Sequence, residues 1–144
     1  MPYLVFGYFS LLLDDPVDRA SYVWLPAGIA VAALILSELR RWPLLLGSLF
    51  AAQFVLGLLW HDGLVTSLAL AVSGMASFLL TAWVIRRISS RMQGLKFIGA
   101  LVAGALAGSA LSAVLGGSWV AYSESVSTQP LLIVWAVANV AGTL

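Results

Sequence analysis

Residues 97–122 read FIGALVAGALAGSALSAVLGGSWVAY, a run without one Asp, Glu, Lys or Arg. About 20 apolar residues in a helix cross a hydrocarbon core of roughly 30 Å, so this longer stretch predicts a transmembrane helix that is tilted or has one end outside the hydrocarbon. Small residues recur along it every fourth position: Ala100, Gly104, Gly108, Ser112 and Gly116. Such a stripe lets helix backbones approach closely where lipid offers no hydrophobic drive for association. The stretch thus sets both the solvent and the packing mode, an all-α bundle in a bilayer.

The rest of the chain follows suit. Of 144 residues 62% are hydrophobic and 9% charged, and the mean hydropathy is +1.03, whereas a soluble domain spends about a quarter of its residues on charge. The other charge-free runs are 2–13, 20–37, 42–60, 63–85 and 125–144. Together they predict a polytopic bundle of about six transmembrane helices, the first and last short or truncated. The sixth span is expected to begin after Pro130, and Leu131 to Leu144 give only about 21 Å of helix. The first run starts at Met1, lacks a basic leader and has no small-residue cleavage pattern after Leu13, which argues against a signal peptide. Residues 1–144 are therefore read as a single transmembrane domain and as a fragment of a longer domain or chain.

Orientation follows from the basic residues, which stay cytoplasmic near helix ends. Arg40 and Arg41 lie in one turn, and Arg86, Arg87, Arg91 and Lys96 in another, while the His61 turn and the loop 123–130 carry none. This pattern places the N-terminus and the basic loops in the cytoplasm, Asp14, Asp15, Asp18, His61 and Glu124 outside, and the last helix running inward. A net charge of +1 gives a nucleic-acid partner no support. With no cysteine and one histidine, disulfides and multi-histidine metal sites are excluded; no metal and no cofactor are expected.

Polar groups at membrane depth are few. Gln53 in the third span and Asn139 in the sixth either satisfy neighbouring helices or line a ligand pocket, since an unpaired amide in hydrocarbon is costly. His61 is a proton sensor or, more simply, a solvated turn residue. Trp42, Trp60, Trp83 and Trp119 lie near span ends and read as interfacial anchors; Trp24 and Trp135 are candidates for a pocket wall. Gly104, Gly108 and Ser112 pack helix five either within the bundle, the favoured reading, or in a homodimer. The fourth span repeats the device with Ala69, Ser73, Ser77 and Thr81, and the third offers Gly47 and Ala51, so the three are expected to pack together. Gly99 and Gly104 have phosphate-loop spacing without the following Lys, and Gly116 to Trp119 only weakly resemble a serine protease site with His61 as base. No catalytic residue is assigned.

One stretch carries a family resemblance. Trp24, Leu25, Pro26, Ala27, Gly28, Ile29 and Ala30, followed by Arg40, Arg41, Trp42, Pro43 and Gly47, resemble the opening of the bacterial membrane-associated sensor domains of the first MASE class. Trp135, Asn139 and Gly142 are similar to that family's late helix, with an amide at Asn139 where the family pattern has an acid. The resemblance implies a non-catalytic input module of the bacterial inner membrane. Such a module would detect a small ligand or a membrane state and relay it to a histidine kinase, diguanylate cyclase or phosphodiesterase, in two-component or cyclic-di-GMP signalling. The candidate ligand-binding residues are then Trp24, Gln53, His61, Trp135 and Asn139. Two other classes remain open: a transporter or permease fragment, with Pro26 and Gly28 marking a broken helix, and a membrane assembly subunit using the helix-five stripe.

Overall fold

A computed structural model describes residues 2–12, 24–60, 63–89, 93–124 and 128–144, and these are almost wholly helical. In chain order they form α1 (Pro2–Leu12), α2 (Pro26–Leu36), a 3-10 turn (Leu39–Arg41), α3 (Trp42–Leu59), α4 (Leu64–Ile88), α5 (Gly94–Ser112), a π segment (Ala113–Gly117), α6 (Ser118–Glu124) and α7 (Thr128–Thr143). Among the described residues, three helical stretches are long and apolar enough to cross a membrane: Leu39–Leu59, Leu64–Ile88 and Gly94–Ser123. The chain is an all-α, membrane-type bundle.

Several helices carry a proline in their first turn. Pro26 opens α2 and Pro43 sits in the first turn of α3, positions whose missing N–H costs no helical bond. Pro130 behaves likewise, because α7 starts at Thr128 and not after Pro130 as the sequence reading had it. A proline in the first turn is compatible with a helix that has already begun. The fifth span is also longer than residues 97–122, running from Gly94 through the π segment to Ser123.

α4 is the central post, packed against α3 on one side and α5 on the other. The stripe expected on α5 makes that contact within the chain. A Cβ on Gly104 would lie 2.9 Å from the Thr81 carbonyl oxygen, and one on Gly108 would lie 2.8 Å from that of Ser77. With hydrogen in its place, the two backbones nearly touch, and Thr81 Oγ1 donates to the Gly104 carbonyl at 3.1 Å. The third helix departs from expectation. Gly47 has nothing within 4 Å of a Cβ position and Ala51 is exposed, so these small residues face away from the bundle.

At one end of the bundle the basic residues meet. Arg86 Nη2 donates to the carbonyls of Leu34 (3.3 Å), Ile35 (3.0 Å) and Ser37, the last turn of α2. The Leu34 carbonyl also accepts the Ser37 N–H at 3.4 Å; last-turn carbonyls are otherwise short of helical partners, and a cation there is favoured by the helix dipole. The guanidinium also lies 5.1 Å from the centre of the Trp42 ring, and Trp42 Nε1 donates to the Leu34 carbonyl at 2.9 Å. Trp42 is thus a buried clamp and not an interfacial anchor, a correction to its sequence reading. Trp83, 58% exposed, keeps the anchor geometry.

α1 and α2 are half-length and lie at successive depths along α3. Gly7 packs on Leu56 and the Tyr8 ring stands edge-on to Trp60 at 6.4 Å, at the far end of α3. α2 takes the other half, reaching Arg86. The start of α2 is therefore inside the bundle, where Leu25 N–H donates to Ser10 Oγ at 3.1 Å.

Candidate functional site

A helix that starts inside an apolar bundle brings polar backbone groups to that depth, and partners must be found for them there. The Trp24 N–H donates to the Ala138 carbonyl of α7 at 3.1 Å. Its carbonyl faces Gly142, where a Cβ would fall far inside contact distance, and a Cβ on Gly28 would lie 2.5 Å from the Gly142 carbonyl oxygen. Only glycine at both positions lets α7 cross the start of α2 this closely. The sequence singled out Gly142 by resemblance, and Gly28 by resemblance and as the mark of a broken helix; the crossing gives the physical reason for a glycine at each.

Around that crossing lie two polar nodes. In the first, the buried Tyr3 hydroxyl donates to Gln53 Oε1, with the Trp24 side chain beside it. The Tyr3 ring stands edge-on to Phe78 at 6.4 Å. This node ties α1, α2 and α3 together on the face of α4. In the second, Trp135 Nε1 donates to Ser112 Oγ at 3.1 Å and Ser73 Oγ donates to the Ser112 carbonyl at 3.3 Å. It ties α7, α5 and α4 together. Asn139, 8% exposed, lies on α7 one turn beyond Trp135 and one turn before the Gly142 crossing. Its Nδ2 donates to the Trp135 carbonyl at 2.9 Å, while its Oδ1 has no hydrogen-bond partner among the described residues.

Four of the five candidate ligand residues thus fall in the two nodes and the face between them: Trp24, Gln53, Trp135 and Asn139. His61 lies outside the described residues. The sequence reading missed Tyr3 and Ser73 as node members, and it placed Ser112 as a packing residue only. Tyr3 carried a signal, a hydroxyl within a charge-free run, but its partner Gln53 is fifty positions away. No formal charge belongs to either node. The chemistry available is hydrogen bonding by neutral groups with aromatic faces beside them, which suits recognition and offers no nucleophile with an adjacent base.

The fold is an all-α, membrane-type helix bundle with a neutral, aromatic-lined junction at the crossing of α2 and α7. The MASE1 family profile matches residues 4–144, and the chain belongs to the MASE1 family. MASE1 domains are membrane-associated sensor domains, which supports a non-catalytic sensory input role in a membrane. No curated protein and no solved structure matches the chain.

Proposed function

We propose that this chain is the input domain of a signalling protein of the bacterial inner membrane, with the basic end of the bundle in the cytoplasm. A small ligand or a change in the bilayer would act at the junction of α2 and α7, and α7, which runs toward the basic end, would carry the change to a cytoplasmic output. That output would be a histidine kinase, a diguanylate cyclase or a cyclic-di-GMP phosphodiesterase. The observation that carries this reading is the buried Asn139 Oδ1 beside Trp135 and the Trp24 crossing. Oδ1 has no partner among the described residues, and an unpaired acceptor in an apolar interior costs about 1–3 kcal/mol, so a molecule that donates one hydrogen bond and stacks on an indole gains there what it would not gain in lipid. Because a ligand shifts an equilibrium only through unequal affinity for two states, a site on the α2–α7 contact is well placed to bias the position of α7.

The test uses the protein expressed from its native reading frame, with output read as autophosphorylation or cyclic-di-GMP turnover. Trp135→Ala and Asn139→Leu are each expected to change output while membrane insertion is retained. Normal output from both variants overturns the assignment of the site.

A further inference from the structure

The helix that begins at Gly94 changes its winding in the middle. Between Ala113 and Gly117 it forms a π turn, where the Ser118 N–H donates to the Ala113 carbonyl five residues back. A π turn absorbs one residue more than an α turn, so everything beyond it sits one α position behind a continuous helix. Such a bulge is disfavoured by itself, and here neighbours hold it from two sides. Ser73 of α4 bonds the Ser112 carbonyl, and Trp135 of α7 bonds the Ser112 hydroxyl. The ring of Trp135 covers Gly116, and Leu132 covers Gly117, where Cβ atoms would lie 3.1 Å and 2.7 Å away. Beyond the bulge, Trp119 Nε1 donates to Thr66 Oγ1 at 3.3 Å. Val120 and Ala121 are buried with Leu131, while Tyr122 is 82% exposed.

We propose that Ala113–Gly117 is a two-register joint: α7 holds the bulge in place, and freeing Trp135 from Ser112 lets the bulge run out through the end of α6. In the second register every residue of α6 turns by about 100° and advances by about 1.5 Å, into the place now held by its successor. Ser118 then faces Thr66, Trp119 enters the slot of Val120 against Leu131, and Ala121 takes the exposed place of Tyr122. An indole does not fit a valine slot while α7 stays packed over it. The position of α7 and the register of α6 therefore exclude or permit one another, which makes them one equilibrium. The proposal stands whether or not α7 carries a signal, since it concerns only how α7 and the outer part of this helix are coupled.

The chain has no cysteine, so engineered pairs report register without background. Thr66→Cys with Trp119→Cys reads the register described here, and Thr66→Cys with Ser118→Cys reads the second one, by oxidative cross-linking of the full protein in native membranes. Trp135→Phe keeps an aromatic ring, though a smaller one, and removes the N–H. It is expected to raise the Ser118 cross-link about fivefold and to lower the Trp119 cross-link, the population change that one ordinary hydrogen bond produces. Deleting Leu115, an exposed bulge residue, lets Ala113–Gly117 close as an α turn with Ser118 and its successors unmoved. The Trp119 pair is then expected to cross-link as in the parent, and Trp135→Phe no longer to raise the Ser118 pair. If Trp135→Phe leaves both yields unchanged, there is no second register. If the deletion abolishes the Trp119 cross-link, or leaves the effect of Trp135→Phe intact, the bulge is not the joint. Signalling output plays no part in these readouts, so their failure and the failure of the sensor reading are separate results.

Discussion

Replacing Gly142 by alanine adds one methyl group where α7 lies on the start of α2. That methyl would collide with the Trp24 carbonyl and lie 3.1 Å from the Leu25 nitrogen. Both obstacles are backbone, so no side-chain rotation relieves them, and α7 must retreat by roughly 1.5 Å to restore ordinary contact. The retreat stretches the Trp24 N–H bond to Ala138, now 3.1 Å, beyond useful length. Overpacking costs about 1–3 kcal/mol and the lost bond about 0.5–1.5 kcal/mol, while alanine recovers up to about 1 kcal/mol over glycine in a helix. The expected net loss is about 0.5–4.5 kcal/mol. Equilibrium unfolding in mixed micelles, followed by tryptophan fluorescence and helicity, measures it against Gly47→Ala, where a Cβ meets nothing within 4 Å. The control is expected to match the parent or gain up to about 1 kcal/mol. If Gly142→Ala unfolds like the parent, or if Gly47→Ala is equally harmful, the close crossing does not constrain the bundle as argued.

Two further perturbations follow from the packing. Arg86→Met removes the donors to the last turn of α2 and the cation above Trp42; a loss of about 2–4 kcal/mol is expected from charged hydrogen bonds and a cation–π contact, with Arg86→Lys recovering only part because it lacks the planar fork. A smaller loss for Arg86→Met than for Arg86→Lys would contradict this. Gly108→Leu drives a side chain into Ser77 and Thr81 of α4 and is expected to abolish a monodisperse detergent-solubilised protein, whereas Gly99→Leu, placed where a Cβ meets nothing within 4 Å, leaves it unchanged. Equal behaviour of the two variants in size-exclusion chromatography would count against the α4–α5 contact.

Much of the junction was visible as residue types before it was visible as a place. Gln53 and Asn139 stood out because amides are expensive in hydrocarbon, Trp24 because it precedes a proline-containing helix entry, and Trp135 because it shares a helix with Asn139. What could not be read was their partnership. Gln53 bonds Tyr3, Trp135 bonds Ser112, and the two amides do not bond each other. Each pairing joins helices distant in sequence, and no periodicity within one helix encodes it. Trp42 shows the same limit: a tryptophan at a span end has one hydropathy whether it faces headgroups or clamps a neighbouring helix. Pro130 was taken as a boundary because proline breaks helix interiors, yet the first turn tolerates it.

By itself the sequence determined the solvent, the helical class, the end of the bundle where basic residues collect, and the small-residue contact between α4 and α5. These rest on properties each residue carries alone, namely charge that hydrocarbon rejects and side chains small enough for backbones to touch. Only the tertiary structure decided that Gly47 faces outward while Gly142 faces Trp24, that α1 and α2 lie at successive depths along α3, and that the fifth span contains a π turn. Lipid and protein interior are equally apolar, so a membrane helix carries no polar face to announce which side is inside. The choice falls to shape, settled when the helices meet.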